Sequence, residues 1–300
     1  MADLLIDAIE SFIITLDKER NFSLHTIKAY KNDLNRFNSF LNQGISRIIL
    51  KKINRNDIRK FLSDEYDNNF TSKTVARRLA TIKSFFKYLV KIELIEENIA
   101  IHINSPKVAK KLPSFINKSL IDVLMNSPSL DTLIGVRDRA VLELFYSTGM
   151  RLSELVNINI GDFHLNKKLL RVIGKGNKER ILPVYSEALS SVESWIQAGR
   201  VKILGHKFSN ALFLNSRGNR LTRQGFWRIL KHESERAGIS ESVTPHTIRH
   251  SFATHLLQGG ASLLHVQSLL GHSSISTTQI YTHLTDEHVR LEYHKAHPRA

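Results

Sequence analysis

Four short stretches of this 300-residue chain carry side chains able to work on a phosphate ester. Thr244-Pro245-His246-Thr247-Ile248-Arg249 reads as a helix start, with Thr244 as N-cap and Pro245 at the first helical position. His246 and Arg249, three residues apart, share one face of that helix. A helix N-terminus favours an anion, and an imidazole with a guanidinium beside it could hold a phosphate and move a proton. The alternative is a first-turn histidine next to a surface arginine. In Thr148-Gly149-Met150-Arg151-Leu152-Ser153-Glu154-Leu155, Arg151 follows a glycine turn at the end of an apolar helix holding Ala140, Val141, Leu144 and Phe145. A part-buried arginine needs an anionic partner, either Glu154 or a bound phosphate. Lys175 has a glycine on either side, Gly174 and Gly176, which permits close approach of a ligand. The chain has no Gly-x-x-x-x-Gly-Lys-Ser/Thr, so this is not a nucleotide-binding P-loop. Finally, Gly271 has the position of a C′ glycine, Ser276 and Gln279 form a capping box, and Tyr281 lies one turn into the helix that they open. A helical tyrosine in such a run serves packing as readily as chemistry.

The elements that must position these residues follow from periodicity. The first hundred residues read as all helical. Leu5, Ile9, Phe12, Ile13 and Leu16 recur at helical spacing, as do Ile27, Tyr30, Leu34, Phe37 and Leu41 after Ser23, with Gly44 in a C′ position. A short helix surrounds Ile58, Phe61 and Leu62, and a fourth carries Val75, Leu79, Ile82, Phe86 and Leu89. The other faces of that fourth helix hold Lys73, Arg77, Arg78, Lys83 and Lys87, which read as a DNA-facing surface or as an ordinary solvated face. The polar, proline-bracketed stretch 105–113 reads as a basic linker between domains at 1–104 and 114–300. Beyond it the spacing predicts helices at 118–126, 137–146, 187–197, 222–237, 246–258, 262–270, 276–284 and 286–295. Residues 169–173 and 180–184 read as strands joined by a hairpin turn that carries Lys175.

Composition narrows the partner. Forty-three Lys and Arg against 28 Asp and Glu give a formal net charge of +15 and a pI near 10.0. That balance calls for a polyanion, nucleic acid before an anionic membrane surface. The absence of cysteine excludes disulfides, thiolate catalysis and zinc fingers. No apolar run approaches the ~18 residues of a membrane span and no basic leader precedes one, so a cytoplasmic protein is expected. His250 and His255 have no carboxylate pattern nearby, and no metal site is expected.

Together, the Arg, Lys, His-x-x-Arg, Gly-His and Tyr elements stand in the order and context of the tyrosine recombinases, the phage-integrase family, which the whole chain resembles. Within that family it is most similar to the XerC/XerD-type chromosome-dimer resolvases. The runs Ser153-Glu-Leu, Gly174-Lys-Gly-Asn-Lys-Glu-Arg, Arg249-His-Ser-Phe-Ala-Thr-His-Leu-Leu and Thr277-Thr-Gln-Ile-Tyr-Thr-His carry the similarity. The ending His297-Pro298-Arg299-Ala300 resembles the XerD side of that pair. Met150 and Ile248 stand where other aliphatics are common.

The resemblance implies a mainly α fold with a small antiparallel β-sheet in the C-terminal domain. It also implies a two-domain, C-shaped DNA clamp built from a helical SAM-like core-binding domain and a catalytic domain. It assigns Tyr281 as the nucleophile that forms a 3′-phosphotyrosine, and Arg151 and Arg249 as the grip on the phosphate oxygens. His246 would be the general base, Lys175 the general acid at the departing 5′ oxygen, and His272 a secondary phosphate donor. One phosphoester replaces another, so neither metal nor cofactor is expected. Partners are duplex DNA with paired half-sites, further protomers or a paralogue completing a tetramer, and an FtsK-type translocase. The terminal helix, with Val289 and Leu291 amid charge, is an element that could be passed to a neighbouring protomer. An integrase of a mobile element and a type IB topoisomerase share this chemistry, and a non-catalytic DNA-binding protein shares the charge. Residue 1 lies close to the first helix, so an extra arm-binding domain is not expected, which argues against many mobile-element integrases.

Overall fold

The structure, a computed structural model, describes residues 4–19, 24–42, 48–107, 115–164, 167–174, 178–271 and 286–300. The chain divides into two units, Met1–Lys111 and Leu112–Ala300. Lys175, His272, Tyr281, Gly44 and the helix expected at 276–284 lie outside the described residues.

The first unit is helical among its described residues. α1 (Leu5–Lys18), α2 (Leu24–Leu41), α3 (Arg55–Asp67) and α4 (Ser72–Lys91) turn their apolar stripes inward. Leu5, Ile9, Phe12, Leu34, Phe37, Ile58, Phe61, Leu79, Ile82 and Phe86 form its core. α3 is longer than its apolar residues suggest because its start is well capped. The Asn54 side chain accepts from the N–H groups of Asn56 and Asp57 at 2.8 and 3.2 Å, and the Asp57 carboxylate accepts from Asn54 N–H at 2.9 Å.

Two carboxylates lie inside this unit, Asp33 at 3% and Glu65 at 0% exposure. Buried carboxylates stay ionised only when paired. Glu65 accepts from Arg36 Nε at 3.0 Å and is ion-paired with Arg78, whose guanidinium also lies 4.1 Å above the Phe70 ring. Asp33 pairs with Arg77 and with Arg78, and takes the Thr81 hydroxyl at 3.0 Å. This network ties α2, α3 and α4 together through charge as well as apolar contact.

The second unit is built around α6 (Leu133–Thr148), buried without a break from Ala140 to Thr148. α5 (Lys118–Asn126) precedes it and the short α7 (Leu152–Asn157) follows the Gly149 turn. Three strands come next, β1 (Phe163–His164), β2 (Leu169–Ile173) and β3 (Glu179–Pro183), antiparallel in the order β1-β2-β3. β1 is only two residues long, too short to show a period in sequence. Leu170 faces Leu182 and Val172 faces Arg180 across the hairpin. Strand alternation therefore puts Arg180 on the same inward face as Leu182, while Ile181 points out.

The helical run expected at 187–197 extends further. α8 (Ser186–Ser194) passes through a π-helical turn at Trp195–Arg200 into α9 (Val201–Leu204). Two buried anchors hold the added turn: Trp195 Nε1 donates to Leu212 O at 2.8 Å and Arg200 Nε to Ala211 O at 3.0 Å. α10 (Arg223–Arg236), α11 (Pro245–Gln258) and α12 (Leu263–Leu270) complete the packing around α6 and the sheet.

The terminal helix α13 (Asp286–Ala296) docks on its own unit. Leu291, one of the two apolar residues on the element expected to be passed to a neighbouring protomer, is 52% exposed. Within the unit, contact is made by Tyr293, whose hydroxyl lies 3.0 Å from Ser147 Oγ, by Ala296, and by the tail beyond them. His297 is buried among Tyr146, Tyr185, Phe252 and Tyr293, and burial lowers its pKa to about 3, so the ring is neutral. Arg299 reaches the fully buried Glu143 at 2.7 Å; Arg139 at 2.9 Å and the Tyr185 hydroxyl complete that carboxylate's shell. Among the described residues no helix is long and apolar enough to cross a membrane.

Two stability changes follow. Glu65→Ala leaves Arg78 buried without its main partner and should cost about 3–5 kcal/mol in urea unfolding. Truncation after Ala296 withdraws Arg299 from Glu143 and empties the His297 site. A loss of about 3–5 kcal/mol is expected, visible as a lower melting temperature, and an unchanged melt would show that the tail contributes nothing to the fold.

Candidate active site

α11 begins as its sequence dictates. Thr244 Oγ1 accepts from Thr247 N–H at 3.0 Å, Pro245 occupies the first turn, and Pro245, Thr247 and Ile248 are buried. That packing leaves His246 exposed on the outer side and Arg249 part-buried beside it. Arg249 Nη1 donates to Gly149 O at 2.6 Å and Nη2 to Leu270 O at 2.8 Å. Burial lowers its pKa to about 10, and the nearby Arg151 adds to the effect, yet the group stays charged at neutral pH. Gly149 is required at this bend. Its φ is +55°, and a Cβ would meet the Phe252 ring at 2.2 Å.

Arg151 sits at the N-cap of α7. Of the two partners considered from sequence, the structure shows Glu154. The Arg151 N–H donates to Glu154 Oε2 at 2.8 Å and its Nη1 to Glu154 Oε1 at 3.1 Å, while the side chain remains 41% exposed and open to a ligand. Its Nη2 donates to Gly271 O at 2.9 Å. Glu154 is itself clamped by Arg180, Nη1 to Oε1 at 3.0 Å and Nη2 to Oε2 at 2.7 Å. Burial pushes the Glu154 carboxyl up, but the hydrogen bonds from Arg180 and Arg151 outweigh it and hold the group below its ordinary pKa. Arg180 Nε then donates to Leu269 O at 3.1 Å.

Three successive carbonyls at the end of α12 thus each receive one guanidinium: Leu269 from Arg180, Leu270 from Arg249 and Gly271 from Arg151. The last carbonyls of a helix lack intrahelical partners and sit at its negative end, which suits them to cations. Gly271 closes the helix in the left-handed region, φ +64°.

The open side of this cluster is a cleft of about 400 Å³, lined by Arg151, Ser153, Arg223, Trp227, His246 and Arg249 among others. Three arginines and no carboxylate line it among the described residues. The arrangement can grip a phosphodiester and place an imidazole against it. Sequence reasoning missed Arg223, Trp227 and Arg180. The first two sit four residues apart on α10, behind a Thr222 cap, and that i, i+4 pair of arginine and tryptophan was the available signal.

Of the cationic residues on α4, Lys73, Arg77 and Lys87 are exposed and Lys83 is half-buried. Arg78, at 12% side-chain exposure, faces into the unit and pairs with Asp33 and Glu65, and Arg77 also reaches Asp33. His255 does not line the cleft and is buried with Nδ1 2.8 Å from the Tyr146 hydroxyl. No group of three or more His, Asp or Glu is arranged to hold a metal among the described residues.

The sequence matches two family descriptions, the phage integrase N-terminal SAM-like domain over residues 9–92 and the phage integrase family over residues 114–288. It is 42% identical over 295 residues to a tyrosine recombinase XerD of Listeria monocytogenes serotype 4b, covering 98% of this chain and 99% of that one. It is 40% identical to the Yersinia pestis XerD, covering 97% of each. Among solved structures, a XerH site-specific recombinase in a post-cleavage complex with palindromic difH DNA matches with TM-score 0.71 and 27% identity, over 92% of this chain and 80% of that one. The lambda integrase fragment 75–356 bound to DNA shares the fold with TM-score 0.71 at 16% identity, over 96% of each chain. Two matched domains and relatives at this identity over nearly the full length place the chain in the phage integrase family, the tyrosine recombinases.

Proposed function

We propose that this site-specific recombinase cuts and rejoins DNA at a dif-like site through Tyr281, resolving chromosome dimers. The observation that carries the reading is the anchored pair Arg151 and Arg249, facing one cleft together with His246. A phosphodiester bears one negative charge, and more develops on its oxygens as a fifth ligand adds to phosphorus. Two guanidinia fixed in advance stabilise that charge without reorganising. The Tyr281 hydroxyl attacks phosphorus, His246 takes its proton, and the bond to the 5′ oxygen breaks as Lys175 protonates the leaving group. His272 donates a further hydrogen bond to the phosphate. The product is a 3′-phosphotyrosine and a free 5′ hydroxyl, and a partner strand's 5′ hydroxyl reverses the step.

Residues 1–104 form the core-binding domain in this reading, 105–113 the linker and 114–300 the catalytic domain. Lys73, Lys83 and Lys87 of α4 carry phosphate contacts of the duplex. Arg77 lies on the exposed side with them, though paired with Asp33, whereas Arg78 is turned into the unit by its ion pairs with Asp33 and Glu65 and supports the helix rather than meeting the duplex. The XerH relative caught after cleavage of difH supports a dif-type target, and the relatives at 40–42% identity carry the XerD name. Pairing two sites of two half-sites calls for four protomers, identical or shared with a paralogue. An FtsK-type translocase is the proposed regulator, and the cytoplasm the proposed compartment.

Nicked duplexes carrying a dif-like site, run on a denaturing gel, test the chemistry. Wild-type protein should give a slow-migrating covalent adduct, and Tyr281→Phe should bind the same DNA without forming it; strand exchange by that variant would refute the nucleophile. Lys175→Ala should cleave at least 100-fold more slowly on the natural ester. A 5′-bridging sulfur, a better leaving group, should restore most of that loss, and an unrescued variant would remove Lys175 from the acid role.

A further inference from the structure

We propose that Arg180 is a positioning residue for the cleavage step, acting through Glu154 on Arg151. The proposal rests on the recombinase reading given above. The side chain is only 16% exposed, and the pleat of β3 points it inward, opposite Val172. Its planar fork holds both oxygens of Glu154, and the remaining edge holds Leu269 O. Glu154 in turn fixes Arg151 by its N–H and its Nη1. Gly271 packs directly on the same guanidinium, so closely that a Cβ there would stand 3.1 Å from Arg180 Cζ. One side chain therefore sets the hairpin, the N-cap of α7 and the C-terminus of α12 relative to one another. Those are the elements that carry Lys175, hold Arg151 and lead into His272.

Arg180 is not placed to grip the DNA itself. It is absent from the lining of the cleft, and three of its five N–H donors are engaged within the protein. A lysine in its place is a point charge that cannot bridge both carboxylate oxygens and a carbonyl at once. Arg151 would then lose its fixed direction, and a displacement of ~1 Å at a catalytic group costs on the order of 100-fold in rate.

The test compares wild type, Arg180→Lys, Arg180→Met, Glu154→Gln and the Arg180→Lys/Glu154→Gln double variant. Each is mixed with a nicked duplex carrying a dif-like site, and single-turnover adduct formation is measured beside a salt titration of binding. Arg180→Lys is included because Arg180→Met strips a buried carboxylate of its main partner and could fail to fold. The expected result is wild-type binding with an unchanged salt slope, and adduct formation slowed about 100-fold. Adding Arg180→Lys to Glu154→Gln should cost less than about 3-fold more, since both act on Arg151 along one path. A wild-type cleavage rate in Arg180→Lys, or losses that multiply in the double variant, would overturn the positioning role. A salt slope reduced by about one would do the same by making Arg180 a phosphate contact. Absence of an adduct with the wild type would instead overturn the proposed cleavage through Tyr281 at a dif-like site, and this proposal with it.

Discussion

The last two carbonyls of α12 and that of its capping Gly271 are the fixed points from which the candidate site is hung. Each accepts from a different arginine, and those arginines come from three separate places: β3, the N-cap of α7 and the second turn of α11. Without an anion present, such a cluster is held together against its own repulsion. Glu154 and the negative end of the helix offset part of it; the pKa of Arg249 is lowered chiefly by its burial, with the repulsion from Arg151 adding to that. A phosphate entering the cleft therefore meets donors whose directions are already set. Much of the desolvation of Arg249 is borne when the protein folds, not when DNA arrives, which is the physical content of preorganisation.

The same device, a buried acid surrounded by arginines, recurs away from the site. Glu65 and Asp33 organise the first unit, and Glu143 anchors the end of the chain in the second. A net charge of +15 therefore overstates the cationic surface offered to a polyanion, because several arginines face inward. Lysines supply much of what remains outside, consistent with the different habits of the two side chains. Arg makes bidentate, partly dry pairs, and Lys stays hydrated at the end of a flexible stem.

Helical periodicity made most of the fold legible, since α5, α10, α11 and α12 fall within a few residues of their expected limits. β1 was not legible because two residues carry no period, and the π turn was not because its anchors, Leu212 and Ala211, lie more than ten residues away. Arg151, His246 and Arg249 were legible as a set because helix starts and glycine turns leave local marks. Arg180 was not, because its importance is created by Glu154 and Leu269, which are remote in sequence. Arg78 shows the converse limit. A cation at a favourable position on a helix reads as surface until a buried carboxylate on another helix is seen beneath it. For the terminal helix, sequence drew attention to Leu291, while the docking residues are Tyr293, His297 and Arg299.

The grip on α12 has a consequence for how the protein can change over generations. Its acceptors are main-chain oxygens, which every amino acid supplies. Leu269 and Leu270 can drift among residues that fill the same apolar space without touching the bonds that aim Arg180 and Arg249. The position least free to drift is Gly271, where a left-handed backbone strains any side chain and a Cβ would press on the guanidinium of Arg180. Mutational tolerance in this helix thus ends at its last residue, one step before the histidine expected to touch the phosphate.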